Sequence, residues 1–137
     1  MNSKKLISIG LLGAIAVALG ALGAHFLKGK LSTGLITPDQ LNGFDTAVKY
    51  QMYHVLAMFG LFLFSKHHDH KFIGWAYSSF LIGICMFSGS LYFLCTRHLY
   101  SADWLKVLGP VTPIGGLFFI AGWIFIALIG FQKESKQ

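Results

Sequence analysis

The charged residues of this 137-residue chain are confined to short stretches, and this distribution limits the folds that are open to it. Four runs of 22, 16, 25 and 26 residues contain no Asp, Glu, Lys or Arg: residues 6–27, 50–65, 72–96 and 107–132. A helix of about 20 residues crosses the hydrocarbon core of a bilayer, which is roughly 30 Å thick. Charged residues make up only 12% of the chain, about half of their usual share in soluble domains. The sequence therefore predicts an integral membrane protein with four spans.

We predict an all-α fold, a four-helix bundle with up-down-up-down topology that forms a single domain over residues 1–137. The first apolar stretch, Leu6 to Ala24, is long for the core of a cleavable signal peptide, so we interpret it as a span. The predicted spans cover about residues 6–27, 44–65, 72–96 and 110–132.

A helix start is expected ahead of the second span. Thr37 can cap the helix, Pro38 suits the first helical position, and Gln40 occupies the place of the amide in a capping box. Apolar residues then recur at steps of three and four on one helical face: Leu41, Phe44, Val48, Met52 and Val55. We therefore predict one helix from about Pro38 to Ser65, with an amphipathic N-terminal extension before its buried part.

The start of the fourth span is ambiguous because Gly109 and Pro110 interrupt the apolar run. If Thr112 caps this helix and Pro113 opens it, 20 residues remain up to Gln132, which is about the length required. The preceding segment would then be a short interfacial piece.

Polar side chains gather near one end of the spans, on the side of the loops at residues 28–49 and 97–106. At a rise of 1.5 Å per residue they lie about 3–12 Å inside the span ends. Because polar groups in hydrocarbon need partners, we expect a lipid-binding polar pocket or a hydrogen-bonded knot here. Each member also has a purely structural interpretation, as a packing residue or as part of an interfacial aromatic belt. The set is His25, Tyr50, Gln51, His54, Ser88, Ser90, Tyr92 and Thr112.

Catalysis and proton-coupled transport are disfavoured by the residues that the spans lack. All five carboxylates lie outside the charge-free runs, so no acid within the hydrocarbon is available for proton coupling. The chain has no Cys-x-x-Cys, which disfavours a membrane thiol oxidase. Asp45 precedes His54 by nine residues, about 13 Å along a helix, and cannot orient it as in a Ser-His-Asp device. We predict that the protein is not an enzyme.

The charges and the His-rich turn suggest which partners to expect. The net charge of +6 comes from Lys and Arg at the ends of apolar runs, where such side chains contact lipid headgroups. We therefore expect membrane lipids as partners and no nucleic acid. His67, His68 and His70 could bind a transition metal, but a solvated turn is the favoured interpretation, and we predict no metal.

The orientation in the membrane follows from the even number of spans, which places both termini on one side. Six Lys and Arg residues lie at the termini and in the middle turn, against five in the two other loops. The positive-inside rule favours both termini in the cytoplasm by this small margin.

Motifs spread over nearly the whole chain resemble, in order, those of a known family. They are Gly20-Ala21-Leu22-Gly23-Ala24-His25, the stretch from Phe44 to His54, Phe87-Ser88-Gly89-Ser90-Leu91-Tyr92, Thr112-Pro113-Ile114-Gly115-Gly116, and Gly122-Trp123. They resemble the family numbered 423 among domains of unknown function, small bacterial inner-membrane proteins with a eukaryotic relative. The resemblance implies an inner-membrane location and a four-helix architecture, but no reaction. Phe26 stands where the family usually has Gly, and the His-rich turn is particular to this chain, which weakens a metal role for that turn.

Three functional interpretations follow. The leading one is a non-catalytic scaffold or accessory protein whose polar set binds lipid or fixes helix packing. The second is a carrier in which His25 and His54 face each other and hold haem or a quinone. The third is a small transporter or channel, ranked last because nothing charged lines the spans. The small residues of span one also suit a homo-oligomer or a larger membrane complex.

Overall fold

A computed structural model describes residues 2–131 of the chain. These residues form four helices that are long and apolar enough to cross a membrane, which confirms the predicted all-α class. We name them α1 (Ser3–Lys30), α2 (Pro38–Phe64), α3 (Lys71–Tyr100) and α4 (Val111–Phe131). A 3-10 segment, Asp103–Leu108, lies between α3 and α4.

The predicted start of α2 is confirmed. The backbone N–H of Gln40 donates to Thr37 Oγ1 over 3.2 Å, and the Thr37 N–H donates to Gln40 Oε1 over 3.0 Å. Both bonds satisfy amide groups that the first helical turn leaves without partners, and Pro38 needs none. The helix then continues for 27 residues, so the amphipathic extension and the second span form one continuous element.

The capping role predicted for Thr112 is wrong. The helix α4 begins at Val111, so Thr112 and Pro113 both lie inside its first turn. Pro113 is tolerated there because the amides of a first turn have no intrahelical partner to lose. The predicted end of this span, Gln132, lies outside the described residues.

Helices α3 and α4 pack closely because glycines of one helix lie beneath phenylalanine residues of the other. At each of these positions an added Cβ would lie 2.3–2.4 Å from its nearest neighbouring atom, far inside van der Waals contact. Small residues allow such close approach between membrane helices. The pairs are Gly83–Phe119, Gly115–Phe87 and Gly122–Phe80.

Helices α1 and α2 pack in an antiparallel register that glycines also define. A Cβ added to Gly13 would lie 3.5 Å from Val55, and one added to Gly20 would lie 3.3 Å from Val48. Seven residues forward along α1 therefore match seven residues backward along α2. This register fixes the relative depth of residues on the two helices.

Two π-helical turns interrupt α1 and α3, at Gly23–Leu27 and Ile84–Ser88. A turn of this kind holds an additional residue, so it changes the direction in which the following side chains point. Both turns lie among the motifs that carry the predicted polar set, since one contains His25 and the other contains Ser88.

Candidate functional site

Gln51 connects three helices through the two ends of its amide. Its Nε2 donates to the backbone carbonyl oxygen of Leu12 in α1 over 2.8 Å. The Tyr92 hydroxyl of α3 donates to Gln51 Oε1, also over 2.8 Å. Only 2% of the Gln51 surface is exposed, so these bonds supply the partners that a buried amide needs in hydrocarbon. The orientation of Tyr92 is supported by Phe44, whose ring centre lies 5.0 Å from that of Tyr92.

The two serines of α3 reach in different directions. The Ser88 hydroxyl donates to the carbonyl oxygen of Ala47 in α2 over 2.9 Å. Ser90 donates to the carbonyl oxygen of Phe87 in its own helix, and its Oγ lies 2.6 Å from Thr112 Oγ1 of α4. Because Ser90 has one hydroxyl hydrogen, Thr112 must be the donor in this second bond. Together the two serines join α3 to α2 and to α4.

His54 is held between its own helix and α4. The indole N–H of Trp123 donates to His54 Nε2 over 3.3 Å, and Nδ1 lies 2.7 Å from the carbonyl oxygen of Tyr50. An indole only donates, so Nε2 accepts, and the proton of a neutral imidazole is on Nδ1 and points to the carbonyl. The ring also stacks on Phe119, with centres 3.5 Å apart and planes 5° apart. Both ring nitrogens and one face of His54 are therefore engaged.

Tyr50 takes part mainly through its backbone and its ring. Its carbonyl oxygen receives the His54 bond, and its ring stacks on Phe87 with centres 4.9 Å apart. The side chain is 41% exposed. Its role is thus closer to the aromatic packing that the sequence also allowed.

His25 does not join the other polar residues. It lies exposed in the π-helical turn of α1. The register between α1 and α2 places His25 level with about residue 43, so it is separated from His54 by about 11 residues, or roughly 16 Å along the helix axis. Two axial ligands of one haem must meet at the same iron, and His54 Nε2 already accepts from Trp123. The two histidines therefore do not fit one haem iron held between them.

Six of the eight predicted residues thus meet their partners through side-chain hydrogen bonds between or within helices. We call them the polar cluster: Gln51, His54, Ser88, Ser90, Tyr92 and Thr112.

Sequence reasoning missed some partners of these residues. Trp123 belongs to a motif of the resembling family, and an indole in the middle of a span is a signal that it needs an acceptor. The carbonyl groups of Leu12 and Ala47 could not be singled out, because every residue carries one. At the other end of the bundle the hydroxyls of Ser8 and Tyr77 are hydrogen-bonded, which joins α1 to α3.

A groove of about 390 Å³ lies between the last turns of α1 and the first turns of α2. Within residues 2–131 its lining includes Gly23, Ala24 and Lys28 from α1 and Phe44 and Val48 from α2, but none of the eight predicted site residues. The polar side chains and this groove are therefore separate features.

Comparisons with known proteins agree with this architecture. A family model described as "Protein of unknown function (DUF423)" matches residues 19–116. A UPF0382 membrane protein of Haemophilus influenzae is 38% identical over 135 residues, which cover 98% of this chain and 99% of the relative. The UPF0382 membrane protein YwdK of Bacillus subtilis is 40% identical over 128 residues, 91% of this chain and 94% of its own length. The UPF0382 inner membrane protein YgdD of Escherichia coli is 35% identical over 131 residues, 96% and 92% of the two chains. No solved structure matches this chain.

Proposed function

Because this chain belongs to the DUF423 family, whose relatives are named as bacterial membrane proteins, we propose that it is a non-catalytic scaffold or accessory protein of the inner membrane. In this proposal the polar cluster fixes the packing of the four helices, and both termini face the cytoplasm. The observation that carries it is the position of Gln51, which bonds to α1 and α3 from α2.

The chemistry of the polar cluster supports a structural role. Each member donates to, or accepts from, a neighbouring helix or its own backbone, so each takes part in packing the helices. The cluster contains no carboxylate, and both nitrogens of His54 are occupied. A general base or a nucleophile needs a group that is free to reach a substrate.

The outer helices provide surfaces on which a scaffold could assemble. In both α1 and α4 only 17% of the residues in the most apolar 18-residue stretch are buried within the protein. These faces are available to lipids, to a second copy of the chain or to a larger membrane complex. The accessory role in this proposal consists of presenting such faces on a rigid core.

The variant Gln51→Leu tests the structural role, because leucine has a similar size but cannot form either bond. Interhelical hydrogen bonds in membranes contribute about 0.6 kcal/mol on average and up to about 1.7 kcal/mol. We expect Gln51→Leu to lower the free energy of unfolding in detergent micelles by about 1–2 kcal/mol, because the Tyr92 hydroxyl also loses its acceptor. Tyr53→Leu is the matched control, since Tyr53 is 56% exposed on the same helix and should change little.

A double-mutant cycle with Tyr92→Phe makes the test specific. We expect the two changes together to cost less than the sum of the single changes, because each removes the same bond. Equal stability of Gln51→Leu and the parent protein would refute the proposal that the polar cluster fixes helix packing.

A further inference from the structure

The groove between α1 and α2 has an apolar interior and a lysine in its lining. Its interior is formed by Gly20, Gly23 and Ala24 of α1 against Phe44 and Val48 of α2. The two glycines let side chains of α2 lie close to α1, since an added Cβ would lie 3.3 Å from Val48 at Gly20 and 3.1 Å from Phe44 at Gly23. With a volume of about 390 Å³, the groove falls within the usual range of small-molecule sites, roughly 300–1,000 Å³.

The position of Lys28 places this groove at the edge of the bilayer. Lys28 is the first charged residue after the 22-residue apolar run of α1, so it lies where headgroups begin. Among residues 2–131 no carboxylate pairs with Lys28. Asp45 also lines the groove, but its carboxylate lies 2.6 Å from Lys49 Nζ, so its charge is already balanced. The groove therefore has an apolar interior and one unbalanced positive charge.

We propose that this groove binds one anionic phospholipid, with an acyl chain along the glycines of α1 and the phosphate beside Lys28. An acyl chain gains little by leaving other lipid tails, because the bilayer is as apolar as the groove. Selectivity must then come from the headgroup, and a single free cation favours a lipid with net negative charge. The site is separate from the polar cluster and does not depend on the scaffold role.

Lipid retention by the purified full-length protein tests this inference. The protein is delipidated in detergent and titrated with phosphatidylglycerol or phosphatidylcholine, and native mass spectrometry counts the bound lipids. We expect one tightly bound phosphatidylglycerol and weaker binding of phosphatidylcholine. Comparable binding of the two lipids would overturn the assignment of an anionic headgroup.

Two pairs of variants locate the site. Lys28→Glu should weaken phosphatidylglycerol binding about fivefold or more, which is the factor expected for one lysine at an anionic surface. Lys30→Glu makes the same charge change two residues away, outside the groove lining, and should have a smaller effect. Ala24→Phe should fill the groove and prevent binding, whereas Ala21→Phe, exposed on the same helix outside the lining, should not.

The comparison within each pair decides the outcome. Equal losses for Lys28→Glu and Lys30→Glu would show only general attraction to the surface and would overturn the inference. Retained binding by Ala24→Phe would overturn it as well. Because Ala24 and Lys28 are exposed, variants at these positions should fold. Gln51→Leu should lose stability but keep the preference for phosphatidylglycerol. Lipid binding and stability therefore test the two proposals separately.

Discussion

Replacing Gly115 by alanine should loosen the contact between α3 and α4. The added Cβ would lie 2.3 Å from the backbone nitrogen of Phe87 and 2.8 Å from its Cα. Ordinary contact begins near 3.4 Å, so the two helices must separate by roughly 1 Å. No rotamer change can relieve this contact, because the obstructing atoms belong to the backbone.

The expected cost follows from overpacking, which typically destabilises a protein by about 1–3 kcal/mol. The higher helix propensity of alanine offsets up to about 1 kcal/mol of this cost, so we expect a net loss of about 1 kcal/mol, and at most about 2 kcal/mol, for Gly115→Ala. Gly116→Ala is the matched control, since its Cβ would lie 3.8 Å from the nearest Phe87 atom. That variant should be neutral or stabilised by up to about 1 kcal/mol.

The measurement is the free energy of unfolding in mixed micelles, followed by circular dichroism as a denaturing detergent is added. The difference between the two neighbouring variants is the informative quantity, because both replace glycine by alanine in the same helical turn. Equal stability of Gly115→Ala and Gly116→Ala would show that α3 and α4 do not approach each other this closely at Gly115.

Two further predictions concern the same helices and the orientation of the chain. Gly122→Ala should also destabilise the protein, because an added Cβ would lie 2.4–2.5 Å from atoms of the Phe80 ring. Phe80→Leu removes that ring, so in the double mutant it should partly compensate for the loss of stability. Additive losses in the unfolding assay would contradict this prediction. A green fluorescent protein fused to the C-terminus should fluoresce, and a cysteine introduced at Ser32 should react with an impermeant reagent from outside, if both termini are cytoplasmic. Labelling of Ser32→Cys only after lysis would reverse the proposed orientation.

The elements of this fold were largely predictable because they depend on local patterns. The spacing of charged residues indicated four spans, and the sequence Thr37-Pro38-Asp39-Gln40 indicated the start of α2. Both signals act within one helix or one turn, so they do not require knowledge of distant contacts. The start of α4 was harder to predict because Pro113 is acceptable at several positions of a first turn.

The partners within the candidate site were less predictable because they depend on distant residues and on helix rotation. Trp123 bonds to His54 across 69 positions of sequence, and no local pattern reports such a distance. His25 lies in a π-helical turn, whose additional residue rotates the side chains by about 100° relative to a regular helix. The predicted depth of His25 was also wrong: the ends of the charge-free runs were taken as level, whereas the register of α1 and α2 separates His25 from His54 by roughly 16 Å along the helix axis.

The register of α1 and α2 has a consequence for the surrounding leaflet. The ion pair between Asp45 and Lys49 is more than half exposed and lies level with the stretch of α1 from about Leu19 to Gly23, roughly two turns before Lys28. The charge-free part of α2 is 16 residues, about 24 Å, whereas that of α1 is 22 residues, about 33 Å. We therefore expect headgroups and water to reach deeper beside α2 than beside α1, which corresponds to a locally thinner bilayer on this flank of the protein.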